Sequence, residues 1–504
     1  MQNFKEVAIR AGSARTCAQA GCLLLRVGSV ILLARLLDPT EFGLVGMATA
    51  VIGVLNPFRD LGLKIASIQQ ATITEEQSST LFWLNVLIGG VLTVVVAALS
   101  GAVSAFYQEP QLVWITSALA LGFLFSGASV QHTARLQREM RFQILALIDV
   151  LAMVTTILIA IGLAATGCGY WALVAMSVCV PLITTIGVWL AAGWVPRRPR
   201  CAPGIQAMML MGGAVTLSSA VGYFATNIDK ILLGRFWGAE ALGLYGRAAQ
   251  LIGSPTENIN FAVGDVAFAA LSRLQDDPIR FKRYFLKCYS LVVALTLPAT
   301  IACAVFADDL VYVLLGPKWA GAADFFRLLA PTIVVFCLAG PMSWLLNSLG
   351  LVRRGLKITL AFAPLKVIGI VLGLPYGPEG VAFGYSIAMI LGALPVIAWS
   401  AHGTVVRVQD VGLALIRPLI SIFAAACVAL ATGYLFGSLL SPITRLSLEG
   451  ALFGLTYLAG LLLPAGRTSL YLELLREIPL SGRLGIRKRL SGATAWSQQR
   501  KVMP

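Results

Sequence analysis

The chain alternates long apolar blocks with short polar ones. The apolar blocks fall near 17–37, 43–65, 80–103, 112–131, 144–165, 171–193 and 206–236, then 240–268, 288–307, 322–348, 356–374, 380–401, 412–436 and 447–464. Runs of about 20 apolar residues cross a bilayer as helices, whereas barrel strands show alternating runs of about 10. The pattern predicts an all-α polytopic membrane protein with about fourteen transmembrane helices. The block 206–236 exceeds what an upright span needs, which predicts tilt or a start outside the lipid.

One stretch recurs. Ile31–Gly46 reads ILLARLLDPTEFGLVG and Ile231–Gly246 reads ILLGRFWGAEALGLYG, at a constant offset of 200 residues. Each copy is an apolar helix end, an arginine, a short polar turn and a glycine-containing start to another apolar run. Six spans separate the copies, and an even number gives them the same orientation. This predicts a parallel repeat of two six-helix lobes about an axis along the membrane normal, with a central cleft. The expected division is 1–200 for the N-terminal lobe and 201–404 for the C-terminal lobe. Two further spans occupy 405–464, and 465–504 is a basic cytoplasmic tail that suits the inner leaflet or a disordered extension.

Composition agrees with a membrane chain. It is 58% hydrophobic and 12% charged, with a mean hydropathy of +0.84, against about 25% charged in soluble domains. The net charge of +15 does not point to nucleic acid, because the basic residues occupy alternate connections. Arg135, Arg138 and Arg141, then Arg197 and Arg198, Arg280 to Lys287, and Arg353 to Lys357 stand on one side; the opposite set offers only Lys318 and Arg445. The basic loops and both termini are therefore expected in the cytoplasm.

Several classes drop out. The nine cysteines are scattered without C-x-x-C, and the two histidines make no H-E-x-x-H, so neither metal nor disulfide frame is expected. No phosphate-binding loop occurs, since GLVRRGLK at Gly350–Lys357 has the wrong residue before its lysine. No cofactor is expected, and active transport would draw on an ion gradient or the membrane potential. Arg10, Arg15 and Arg26 interrupt any signal peptide. No loop is long enough for an outer catalytic domain.

Candidate chemistry lies in the charges inside the spans. An ionisable group at mid-membrane costs about 2.5–3.5 kcal/mol on insertion scales, so it usually faces a bundle interior or a wet cavity. The cations are Arg26, Arg59, Lys230, Arg235, Arg247 and Lys366, all candidate substrate-binding residues; Asp60, Asp229 and Glu257 are the acids. Asp229 and Glu257 are candidate ion-coupling groups. Blander roles stand beside these. Arg59–Asp60 and Asp229–Lys230 are sequence neighbours that cannot face each other on one helix, but each can pair elsewhere. Arg35 and Arg235 at helix ends fit snorkelling or hairpin capping. Glu257 fits equally a proton or cation site or a partner for a cation. Arg26 and Lys366 are deep and have no acid one helical turn away. Cations outnumber acids, so the cleft should favour a multiply charged anion such as a diphosphate, which arginine binds bidentately.

The phrases ARLLDPTEFGLVGMATAV, RDLGLKIASIQ, TEEQSSTLFWLN, LQREMRF, GYWALV, NIDKILLGRFWGAEALGLYGRAAQL, ALSRLQDDP, VLLGPKWAGAADFFRLLAP and GLPYGPEGVAFGYS resemble the multidrug/oligosaccharidyl-lipid/polysaccharide exporter superfamily, specifically its polysaccharide-biosynthesis flippases. The resemblance covers almost the whole chain and implies fourteen helices in two six-helix lobes. It implies translocation of undecaprenyl-diphosphate-linked oligosaccharide across the bacterial inner membrane for exopolysaccharide, capsule or O-antigen assembly, not enzymatic catalysis. It also implies head-group contacts at Arg26, Arg59, Arg235 and Arg247, and as partners membrane lipids, a polysaccharide polymerase and export proteins. Lys230 and Ala269 depart from the family phrases, where an uncharged residue and a proline are usual. Two rivals make different demands. A drug or cation exporter needs an acid-dominated cleft, and a membrane glycan polymerase or ligase needs a substantial outer loop.

Overall fold

The computed structural model describes residues 21–22, 25–59, 61–63, 67, 73–199, 205–436 and 440–462. Asp60, residues 1–20 and the basic tail from 463 onward lie outside the described residues. The first helix, α1, covers 25–36. It is followed by α2 (Pro39–Ile52), continued by a 3₁₀ segment Gly53–Arg59, then α3 (Glu75–Tyr107), α4 (Leu112–Arg138), α5 (Phe142–Ala165) and α6 (Trp171–Ala192). The second half opens with α7 (Ile205–Leu271), α8 (Pro278–Val305), α9 (Ala307–Leu314), α10 (Ala322–Ala339) and α11 (Met342–Ser348), followed by α12 (Val352–Gly373) and α13 (Gly377–Ala401). Two more, α14 (Val408–Phe436) and α15 (Pro442–Leu462), end the described chain.

The α7 element is two spans in one. Gly238 has φ 81° and ψ −176°, a conformation open to glycine, and it makes the turn inside the second copy of the repeated hairpin. Similarly α10 and α11 are one span interrupted at Gly340–Pro341. Counted so, the described helices give the fourteen spans expected. The short α9 was not foreseen: eight residues opening with Asp308 and Asp309 at its N-terminal turn, where carboxylates are favoured by the helix dipole. Capping chemistry starts other helices as well. Thr74 accepts from the Gln77 amide before α3, and Asp277 accepts from the Arg280 amide before α8.

Outward faces carry large apolar side chains, among them Leu87, Val94, Leu158, Leu190, Leu372 and Leu394, all exposed. In water such a surface would aggregate; in lipid it is the solvated face. Inside, one continuous apolar cluster joins both lobes at the end of the molecule bearing the repeated turns. Leu33, Phe42, Met47 and Tyr107 of the first lobe pack with Leu233, Leu242, Tyr245, Trp319 and Phe326 of the second. Polar ties reinforce that end. Trp319 Nε1 donates to the Ala34 carbonyl at 2.7 Å, Arg35 Nη2 donates to that of Val313 at 2.5 Å, and Lys318 pairs with Asp38 at 2.6 Å. Arg35 thus binds across the lobes.

At the opposite, basic end the clusters are separate. Leu136, Leu145, Ile148 and Val188 belong to the first lobe, whereas Phe281, Phe285, Leu345 and Val411 belong to the second with its appended helices. The apolar packing that joins the lobes is concentrated at one end; farther along, the segment Gly53–Arg59 still packs against α7, and Tyr223 donates to the Thr49 carbonyl at 3.2 Å. The connection after α6 stays with the first lobe, because Trp194 Nε1 donates to Glu75 at 2.7 Å and the Arg197 amide donates to Ser79 Oγ.

Candidate functional site: the cavity between the lobes

A cavity of about 530 Å³ lies between the lobes. Arg26 enters it from α1, Phe42 and Thr49 from α2, and Tyr385 from α13; α7 supplies most of the remainder on both sides of its kink. Two stripes supply most of the α7 contribution. Tyr223, Asn227 and Lys230 share one helical face before the kink, and Gly243, Arg247, Gln250, Ser254 and Glu257 share one after it.

Of the charged residues singled out above, Arg26, Asp229, Lys230, Arg247 and Glu257 line this cavity. Arg247 crosses between lobes: its guanidinium carbon lies 4.2 Å from the ring centre of Phe42, and Nη1 donates to Gln250 Oε1 at 2.5 Å. A desolvated cation over an aromatic face is worth about 0.5–2 kcal/mol. Lys230 Nζ donates to Asn227 Oδ1 at 2.8 Å. Tyr245, itself buried, donates its hydroxyl to Asp229 Oδ2 at 2.6 Å, while Oδ1 of that buried carboxylate has no hydrogen-bond partner among the described residues. Among the described residues, Arg26, Lys230 and Arg247 form no ion pair.

Three sequence candidates lie outside the cavity wall. Arg59 ends the 3₁₀ segment and donates to Ser126 Oγ at 3.3 Å, inside its own lobe. Arg235 sits one turn before the Gly238 kink at the closed end, with its guanidinium 5.8 Å from the Phe106 ring and 5.9 Å from that of Phe236. Lys366 on α12 is not part of this wall, to which the neighbouring α13 contributes Tyr385. The cavity thus holds three cations and two carboxylates, a smaller positive excess than the tally over all candidates suggests. Sequence reasoning passed over Phe42, Tyr223, Asn227, Tyr245, Gln250 and Tyr385, none of which is charged.

The family described as "Polysaccharide biosynthesis protein" matches residues 32–324, more than half of the 504 residues. The chain belongs to that family. The matched region contains both copies of the hairpin, save Ile31, and every cavity residue named above except Arg26 and Tyr385. The chain is 27% identical over 379 residues to an "Uncharacterized membrane protein in cps region" of Klebsiella pneumoniae, covering 72% of this chain and 76% of that one. It is 26% identical to "Lipopolysaccharide biosynthesis protein WzxC" of Escherichia coli K12, over 76% of this chain and 78% of the relative. Its fold matches that of "Lipid II flippase MurJ, inward closed conformation" with a TM-score of 0.69 at 14% identity, covering 92% of this chain and 99% of the other.

Proposed function

We propose that the protein flips an undecaprenyl-diphosphate-linked oligosaccharide from the inner to the outer leaflet of the bacterial inner membrane, in exopolysaccharide, capsule or O-antigen assembly. One observation carries this reading: Arg26 and Arg247, unpaired cations on opposite lobes, line the same cavity. A diphosphate seated between them engages both lobes at once. Lys230 adds a third positive group, and the head-group assignment narrows to these three residues in this state. The names of the relatives, in lipopolysaccharide biosynthesis and lipid II flipping, support the same cargo class.

Placing the basic connections in the cytoplasm follows the distribution of lysine and arginine. Both termini then lie inside, and the welded end faces outward, with the cavity on its cytoplasmic side. Rocking of the lobes about the weld would expose the cavity on the other side. Asp229 and Glu257 are the groups available to couple that movement to an ion. A polysaccharide polymerase and export proteins are the partners that would receive the glycan.

The test is flipping of the lipid-linked intermediate in reconstituted vesicles. Arg26→Ala and Arg247→Ala should each lower the rate by about tenfold or more, the loss of a charge-assisted contact; normal rates in both overturn the reading. Removal of the protein from cells should leave that intermediate on the cytoplasmic side. The two carboxylates in the cavity favour one rival, a drug or cation exporter of the same architecture. Changed drug susceptibility in a deletion strain, with normal glycan export, would select it.

A further inference from the structure

The cavity between the lobes has a side chamber. A space of about 380 Å³ runs into the N-terminal lobe among α1, α2, α5 and α6. Arg26, Phe42, Gly46, Thr49, Arg247 and Gln250 line both spaces, so the two meet at the arginine pair. Beyond that junction the described residues of the chamber wall carry no charge. It combines the hydroxyls of Ser29, Thr49 and Ser177 with the flexible side chains of Met153 and Met176 and with aliphatic residues.

We propose that this chamber holds the sugar bonded directly to the diphosphate, and that its wall sets which carrier-proximal sugar the protein accepts. The inference rests on the diphosphate reading above. The sugar attached to a phosphate seated at Arg26 and Arg247 must occupy a space adjoining them. The chamber is such a space, and its volume is at the small end of ligand pockets, about 300–1,000 Å³. That is room for one or two sugar rings, not a complete repeat unit.

The chamber's chemistry suits a pyranose. Each hydroxyl already donates to a carbonyl of its own helix: Ser29 to Arg26 at 2.8 Å, Thr49 to Val45 at 2.8 Å and Ser177 to Leu173 at 3.0 Å. Their oxygens are left as acceptors, ready for the hydroxyl protons of a sugar. Gln250 has its carbonyl engaged by Arg247, which leaves its amide hydrogens as donors at the mouth. The thioethers and aliphatic groups cover the C–H faces of a ring, and methionine adapts its shape to do so. The polyprenyl tail is a poor occupant by comparison. It gains little by leaving a bilayer as apolar as the chamber wall, whereas the sugar has no polar alternative within the lipid.

The test measures affinity of the full-length protein in nanodiscs for undecaprenyl diphosphate alone and for the same carrier bearing glucose, galactose or N-acetylglucosamine. At least one sugar should tighten wild-type binding by about tenfold over the bare carrier, as two or three net hydrogen bonds supply. Met176→Phe and Ser177→Leu, which fill the chamber, should remove that increment and leave the affinity for the bare carrier unchanged. Ser177→Ala, which removes one acceptor without filling space, should remove part of it. Thermal unfolding of each variant checks that it is folded. No increment with any sugar, or an increment that survives both filling variants, overturns the proposal. So does a loss of bare-carrier affinity in the filled variants, which would place the tail or the phosphate there. If instead Arg26→Ala and Arg247→Ala leave bare-carrier binding intact, the diphosphate seat fails, a result separate from the sugar increment.

Discussion

Gly43 lies so close to the carbonyl oxygen of Ala239 that a Cβ could not be added to it. The converse holds as well: a Cβ on Gly243 would overlap the carbonyl oxygen of Pro39. Since 39 and 239 are equivalent positions of the repeat, as are 43 and 243, each hairpin presents the same glycine to the same turn of the other. This is the reciprocal contact expected at a two-fold axis, here within one chain. Backbone against backbone is a short, specific weld, and it sits at the closed end beside the buried Trp319.

Gly43→Ala and Gly243→Ala should therefore each destabilise the protein by about 1–3 kcal/mol, the usual cost of overpacking. Gly246→Ala, with no atom within 4 Å of its added Cβ, should be near neutral. Thermal unfolding of the three variants in detergent checks the order. Equal melting of all three would show that the weld yields without cost.

The polar ties at that end should differ in weight. Lys318 and Asp38 are both more than half exposed as side chains, at 54% and 58%, and such pairs contribute about 0–1 kcal/mol. Trp319 is fully buried, stacks edge-on against Phe42 at 5.2 Å and donates to Ala34. Trp319→Ala should cost about 3–5 kcal/mol, and Lys318→Ala little. The same thermal measurement separates them.

How much of this was legible before the structure depends on the residue. The spans follow from runs long enough to cross lipid, and the lobe symmetry follows from the hairpin repeat. Charges marked the cavity only in part, because depth along a span does not determine which way a side chain points. Arg26 and Arg247 turn into the cleft. Arg59, equally conspicuous, turns to Ser126 instead. The uncharged wall was readable in principle. Projected at 3.6 residues per turn, Gly243, Arg247, Gln250, Ser254 and Glu257 form one polar stripe on an otherwise apolar helix. Phe42 and Tyr385 gave no such signal, since an aromatic residue in an apolar span looks like core. The side chamber depends on how α1, α2, α5 and α6 splay, which local sequence does not encode.

Arg247 is held by stacking as much as by charge. Arg247→Lys keeps the positive charge but loses the planar fork and most of the face contact with Phe42. Flipping should fall by about tenfold in Arg247→Lys and by less in Phe42→Leu, where the guanidinium survives but loses about 0.5–2 kcal/mol of ring attraction. Restoration of full activity by lysine would mean that charge alone matters.

Arg445 clamps the last described helix to the second lobe. It pairs bidentately with Asp309 of α9, whose carboxylate is mostly buried, with Nε 2.5 Å from Oδ2. Asp309→Asn leaves the guanidinium with a neutral partner and should lower stability by about 1–3 kcal/mol, as for a charged hydrogen bond left incomplete. Arg445→Lys should fall between that variant and wild type, because a lysine cannot reproduce the two parallel bonds. Limited proteolysis of the connection between α14 and α15, alongside unfolding, would report the loosened clamp.

Asp229 separates structure from coupling most cleanly, because its two oxygens differ. Oδ2 accepts from Tyr245, and Oδ1 has no hydrogen-bond partner among the described residues. Asp229→Asn preserves an acceptor for Tyr245 and removes the charge. Asp229→Leu also strands the buried tyrosine hydroxyl, at a cost of about 1–3 kcal/mol. The asparagine variant should therefore unfold near the wild-type temperature and the leucine variant clearly below it. In vesicles the asparagine variant should retain basal flipping and lose stimulation by an ion gradient. Glu257, open to the cavity and without an ion pair among the described residues, provides the comparison. If gradient stimulation survives in both Asp229→Asn and Glu257→Gln, the carboxylates serve packing and local charge balance, and the coupling ion binds elsewhere.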